Sequence, residues 1–277
     1  MSTDPLRIIG EILGEPADEM RNPVNAGYLC PFADMICDKR GHQISGPLPV
    51  CSIWSGGRRK GREKEAQLMA VCPRRFYQAN FFDDVIDHCW PGTRPENPRL
   101  SGEIAMKGFG RVDFVIADID PETDAVKEFV SVEMQAVDIT GSYMPAYQAV
   151  LNNQDDCIAT VGINWKNVQK RYINQLVEKG FYHHIWQSRI VAVLQKPLYE
   201  RMRTNLQFDE IKAGGTNNPI TFMLYDFVPD PEREGGHVLQ FDSAVSTSHN
   251  SLMNSSLYQK VPSKSAFTDR VKSNLNR

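Results

Sequence analysis

The segment from Arg111 to Asp138 reads "RVDFVIADIDPETDAVKEFVSVEMQAVD". Most of it is apolar or β-branched, yet Asp113, Glu133 and Gln135 interrupt the Val, Ile and Phe. "RVDFVIADI" and "EFVSVEMQAV" alternate like strands, and the turn-rich "DPETDAVK" between them predicts a hairpin. Side chains alternate along a strand, so Glu133 and Gln135 share a face. Asp113 begins the partner strand and approaches Glu133 at the open end of the hairpin. Two carboxylates at the rim of an apolar sheet repel each other and lose hydration. A divalent cation offsets both costs. Mg2+ suits such a site, because it takes one or two carboxylates, waters and a phosphate oxygen. Glu103, in "LSGEIAMKGFGRVD", is a third acid. A short helix ahead of the hairpin would bring it to the same cation or to a second one. This pattern describes metal-assisted phosphodiester hydrolysis. The competing reading is an exposed hairpin with solvated acids, the role expected for Asp118, Asp120, Glu122, Asp124 and Glu128 around the turn.

A second constellation lies upstream. Cys30, Cys37, Cys51 and Cys72 are spaced C-x6-C-x13-C-x20-C in a Pro- and Gly-rich stretch. Such a stretch holds few large apolar residues and needs a staple. Four thiolates suit tetrahedral Zn or Fe in a closed structural site. Four buried free thiols fit the same spacing. Cys89 and His42 are reserve ligands, and Cys157 reads as core. Between the third and fourth cysteines runs "SGGRRKGREKE", which puts Arg58, Arg59, Lys60, Arg62 and Lys64 within seven residues. Such a run serves phosphate contact or guanine reading, or is a solvated loop.

These groups must be positioned by a chain of 277 residues with a formal net charge of −3 and 41% hydrophobic content. That supports one large domain, or a core with an appended module. The near-neutral charge neither suggests nor excludes a nucleic-acid partner. No apolar run approaches the roughly 18 residues of a membrane span. The start, "MSTDPLRIIGEILGEPADEM", lacks a secretory pattern, so a cytoplasmic, thiol-reducing setting is expected. Helices are predicted over Leu6 to Leu13, Glu63 to Val71 and Arg74 to Trp90. The breaker-rich "WPGTRPENP" marks a boundary that separates residues 1–95 from 96–277. Beyond the hairpin, "GSYMPAYQAVLNN" and "NWKNVQKRYINQLVEKG" read as helices, the latter ending at Gly180. "RIVAVLQ", "ITFMLYDFV" and "HVLQFDSAV" read as strands, and the tail as a short polar helix or disordered chain. The "GFG" and "AGGTNN" stretches lack the context of a phosphate loop. His183 and His184 read as solvated or capping, and Ser248–His249 lacks the rest of a hydrolase triad.

Together, "YLCPFADMIC", "PLPVCSIW", "GRVDFVIAD" and "VEMQ" make the chain resemble the NotI-type restriction endonucleases. The resemblance implies an α/β, PD-(D/E)XK restriction-endonuclease-like core, a mixed sheet flanked by helices, with an N-terminal four-Cys metal-stapled module. It implies a prokaryotic type II enzyme, a homodimer that cuts GC-rich palindromic duplex DNA with a GGCC centre and leaves 5′ overhangs. A cognate DNA methyltransferase is the expected functional companion. Carried onto this sequence, Asp113 and Glu133 would ligate catalytic Mg2+ with the carbonyl of Met134, and Glu103 would be an additional acid. Gln135 would stand where such enzymes usually have Lys, and Val112 stands where they usually have Pro. Cys30, Cys37, Cys51 and Cys72 would hold structural Fe or Zn. Arg58, Arg59, Lys60, Arg62, Lys107 and Arg111 are the expected DNA contacts. The alternatives are another PD-(D/E)XK nuclease of repair or recombination, and a non-catalytic metal-stapled DNA-binding protein.

Overall fold

The computed structural model describes residues 3–20, 22–41, 46–56, 66–213, 218–257 and 263–275. In chain order, a 3-10 turn (Pro5–Arg7) leads into β1 (Ile9–Ile12), β2 (Glu15–Pro16), β3 (Leu29–Cys30), β4 (Met35–Ile36), β5 (Val50–Ser55) and β6 (Gln67–Ala70). A second 3-10 turn (Pro73–Gln78) precedes α1 (Phe81–Cys89). Then come β7 (Pro98–Ser101), β8 (Ile104–Met106), β9 (Gly110–Val112), β10 (Phe114–Ile119), β11 (Val126–Gln135) and β12 (Ile139–Ser142). They are followed by α2 (Met144–Leu151), β13 (Thr160–Ile163), α3 (Trp165–Trp186), β14 (Arg189–Gln195) and α4 (Lys196–Asn205). The remainder is β15 (Ile211–Lys212), β16 (Ile220–Pro229), β17 (His237–Thr247), α5 (His249–Leu257) and α6 (Lys264–Leu275).

Seven strands form the large sheet, in the order β15-β17-β16-β14-β11-β10-β7. β11, β14 and β16 run parallel at its centre, and the outer pairings are antiparallel. The fold is thus mixed α/β, with helices on the sheet. β14 is buried at every position, which explains why "RIVAVLQ" has no polar alternation: a central parallel strand is covered on both faces. One face packs Ile190, Ala192 and Leu194 against α2, α3, α4 and the four-stranded sheet β2-β1-β5-β6. The other packs Val191 and Val193 against Phe76 and α1. Among the described residues no helix is long and apolar enough to cross a membrane.

Five sequence expectations are corrected. Leu6 to Leu13 is not a helix: Asp4 caps a single 3-10 turn, and the chain then extends as β1. Gly10 disfavours a helix and permits close strand packing, since a Cβ there would lie 2.2 Å from Leu68 Cδ1. In the segment predicted helical from Glu63, the described part is strand β6, with Leu68, Met69 and Ala70 buried against β5. Gly180 does not end a helix. It lies inside α3, where a Cβ would meet Ile220 Cδ1 at 2.5 Å, so its missing side chain lets α3 approach β16. No short helix precedes the hairpin; β8 and β9 form a small two-stranded ribbon there. Asp118, expected solvated, is buried and accepts from the Asn97 N–H at 2.8 Å. The tail is the helix α6, with Phe267, Val271 and Leu275 exposed.

The segments on either side of the Trp90–Pro98 boundary are tied by buried polar groups. Gln195, at the end of β14, accepts from Ala70 N–H at 2.6 Å and donates to Leu68 O at 3.1 Å. Arg75 is wholly buried and forks onto Glu11, with both N···O distances 2.9 Å. The same guanidinium donates to His237 O at 2.7 Å and lies between the rings of Phe32 and Phe227. Removing one partner of a buried ion pair strands the other charge. Arg75→Met is therefore expected to lower the unfolding free energy by about 3–5 kcal/mol, read from urea denaturation. Arg75→Lys keeps the charge but not the fork, so it should also destabilise, by less.

Candidate active site

The predicted hairpin is present, and its register sets the site. Phe114 pairs with Val132 and Ile116 with Val130 across β10 and β11. Val130, Val132 and Met134 point into the α1 side of the core. By period two, Ser131, Glu133 and Gln135 take the opposite face, which α3 covers. Asp113 sits just before β10, and its Oδ2 accepts from Met134 N–H at 2.8 Å. The two acids thus meet at the open end of the hairpin, as the alternation predicts. N–H and C=O of one strand residue point the same way, so the Met134 carbonyl also opens toward the Asp113 side.

α3 supplies what the sequence reading missed. Tyr172, Leu176, Lys179 and His183 are all buried and recur at helical spacing. The Tyr172 hydroxyl donates to Glu133 O at 3.3 Å. Lys179 Nζ donates to Glu133 Oε1 and to Arg111 O. His183, expected at the surface, is fully buried, and only His184 is exposed. Its Nδ1 lies 2.7 Å from Lys179 O and its Nε2 2.8 Å from Ser131 Oγ. A carbonyl can only accept, so Nδ1 carries the proton and Nε2 accepts from the hydroxyl. The signal for these residues was available: a Lys and a His continue the apolar stripe of the helix, where solvated charges do not belong.

Burial dominates the electrostatics. It pushes Glu133 up to about 7, against the Lys179 ammonium, which favours the carboxylate. Burial also raises Asp113, opposed by the Met134 N–H and Lys179, while the Glu103 charge adds to the rise. His183 is pushed down to about 4 by burial and is neutral at pH 7.

Glu103 stands at the base of the β8–β9 ribbon, exposed and paired with Arg111 at 2.9 Å. Its charge reaches Asp113, but its side chain is held by Arg111. Gln135 donates its amide to the neighbouring Ala136 O. Lys107 lies exposed in the turn of the ribbon. Arg58, Arg59, Lys60, Arg62, Lys64 and His42 fall outside the described residues. Cys30 ends β3 and pairs with Met35, Cys37 follows β4, and Cys51 on β5 accepts at its carbonyl from the N–H of Val71, just before Cys72. All four are free thiols. Burial raises Cys37 and Cys51, and the neighbouring Cys72 adds to both shifts. Cys157 is buried in the core, as expected. Among the described residues, no three His, Cys, Asp or Glu side chains converge closely enough to hold a metal ion unaided. The donor set at the hairpin, two carboxylates at a partly open rim, is nonetheless what Mg2+ takes when water and a phosphate complete its shell.

Residues 19–239 match the family described as restriction endonuclease NotI. The chain belongs to the NotI restriction endonuclease family. It is accordingly a site-specific deoxyribonuclease, and its substrate is DNA. No curated protein matches the chain. The matched span takes in the four cysteines, Asp113, Glu133, Gln135, Lys179 and His183, and leaves out α5 and α6.

His183 gives this NotI-family enzyme a measurable acid sensitivity. The unfolded chain binds a proton at this residue near pH 6.5, the folded chain only near 4. Stability from this group is therefore present above pH 6.5 and is lost as pH falls toward 4. Between pH 7.5 and 5 the loss is about 2 kcal/mol. On going from pH 7.5 to 5, the unfolding free energy from urea denaturation should change about 2 kcal/mol more unfavourably in the parent protein than in His183→Gln. Glu133 titrates in both proteins with the opposite sign and cancels in the comparison.

Proposed function

We propose that this NotI-family enzyme is a Mg2+-dependent type II restriction endonuclease. In this reading it cuts duplex DNA at a GC-rich palindrome with a GGCC centre and leaves 5′ overhangs. The core is of the PD-(D/E)XK kind, residues 96–277, with residues 1–95 as a metal-stapled module that contacts DNA. What supports the reading is the meeting of Asp113 and Glu133 at one rim, inside the matched family span. Asp113 and Glu133 would hold the cation, with the Met134 carbonyl beside them. Bound there, Mg2+ supplies charge neutralisation at the scissile phosphate and a water of lowered pKa. Asp113 is kept in place by the Met134 N–H, and Glu133 by Lys179. Gln135 is neutral and cannot act as a base at pH 7; its part is to orient solvent beside the carboxylates.

A palindromic target calls for a twofold protein, so the enzyme acts as a homodimer in which each subunit cuts one strand. Lys107, Arg111 and the run Arg58, Arg59, Lys60 and Arg62 serve as phosphate contacts, which position DNA without specifying sequence. Cys30, Cys37, Cys51 and Cys72, drawn closer together than they stand in the structure, would hold one Fe or Zn ion between the β3–β4 pair and β5. The enzyme works in the prokaryotic cytoplasm beside a methyltransferase that protects the host sites.

Digestion of a plasmid of known sequence with Mg2+, followed by mapping of the ends, tests the site, the overhang and the metal requirement together. Asp113→Asn and Glu133→Gln should each slow cleavage by about 100-fold or more and still retain DNA in Ca2+. Unchanged cutting in either variant would refute the site. Elemental analysis of purified protein should give close to one Fe or Zn per chain, reduced in Cys51→Ser. A content far below that removes the staple.

A further inference from the structure

We infer that Lys179 is the ammonium group of this active site, delivered from α3 and not from the strand that carries Glu133. The inference rests on the reading of Asp113 and Glu133 as the metal-binding pair.

The first observation is what Gln135 does. It lies two residues beyond Glu133 on the same strand face, but its amide is spent on Ala136 O. A neutral amide, turned to its own neighbour, brings no positive charge to the carboxylates. The second is what Lys179 does. Its Nζ bridges Glu133 Oε1 on β11 and Arg111 O, two residues ahead of Asp113. One ammonium therefore spans the two chain segments that carry the acids. Its side chain is 7% exposed, and Lys is almost never buried so deeply without a partner that requires it.

The third observation is preorganisation. Tyr172 fixes the Glu133 carbonyl from one side. His183 is anchored to Ser131 Oγ, on the same strand face as Glu133. The ring of Phe109 lies under the ammonium, 5.9 Å from Nζ to its centre. Lys179 thus leaves α3 between two residues that are both tied to β11, which restricts where its ammonium can go.

The charges are consistent with this role. Asp113 and Glu133 carry two negative charges when ionised, and Lys179 one positive. The cluster keeps a net negative charge, so it still attracts a divalent cation. Without DNA, Lys179 is a positioning residue that holds Glu133. With a phosphodiester at the rim, its charge lies beside the group on which negative charge builds during hydrolysis. A fixed cation in a water-poor site is effective there because it needs no reorganisation.

The test uses full-length enzyme and four variants. Lys179→Met keeps the length and removes the charge. It should slow single-turnover cleavage by about 100-fold or more. Calorimetric Mn2+ binding to the DNA-free protein at pH 8.5 should be undiminished, because both carboxylates remain. Adding Gln135→Lys to Lys179→Met returns an ammonium from the strand, and at least tenfold of the lost rate should come back. Cleavage by Lys179→Met within threefold of the parent enzyme would overturn the inference. So would a loss of rate that is matched by lost Mn2+ binding and not restored by Gln135→Lys, since that is the signature of a structural lysine. If Lys179→Met does not fold, Lys179→Gln, which keeps a donor and loses the charge, is read by the same criteria. Asp113→Asn separates the two levels. If it also cuts like the parent, the metal-site reading fails; if it is inactive while Lys179→Met cuts normally, only the role of Lys179 fails.

Discussion

Two carboxylates in a buried rim are unstable company, and much of the molecule is arranged around that fact. Asp113 and Glu133 are both pushed toward protonation by burial. The Met134 N–H on one acid and the Lys179 ammonium on the other oppose the shift. These contacts require β10 and β11 in register and α3 lying flat on β11 and β14. α3 reaches that position because Gly180 leaves no side chain against Ile220. The glycine that follows Lys179 in the chain thereby helps set how deeply that lysine reaches toward Glu133.

The architecture distributes polar burial with the same economy. Gln195 closes the edge of β6 with both ends of its amide, and Arg75 joins β1, the second 3-10 turn and β17. The first ninety-odd residues share their apolar core with α2, α3 and β14. They are therefore mechanically continuous with the sheet that bears Glu133.

The sequence was most readable where one period dominated. Strict alternation located the β10–β11 hairpin and placed Glu133 and Gln135 together, and the unbroken apolar run of β14 marked a strand, whose central place the structure adds. It was least readable where short apolar runs fit both periods. "IIGEIL" satisfies a helix or a strand, and only its pairing with β5 decides. Glycine misled for a related reason: Gly180 has the look of a stop, yet its role is close approach, which no local pattern encodes. Lys179 and His183 escaped notice because charged residues on a helix are solvated by default. Their position on the apolar stripe was visible in the spacing, but their partners, Glu133 and Ser131, lie 46 and 52 residues away in the chain. The four cysteines were visible as a set, whereas their neighbourhood depended on how β3, β4, β5 and β6 meet.

β11 carries one further consequence. It is ten residues long and hydrogen-bonded on both sides, to β10 and to β14. The backbone under Glu133 is thus among the last to open in the native ensemble, and its amides exchange with solvent only when the whole sheet comes apart. The proposed site is thus built on a strand paired on both sides, beside an exposed two-stranded ribbon, β8–β9. Fraying of that ribbon would leave the backbone under Glu133 in place.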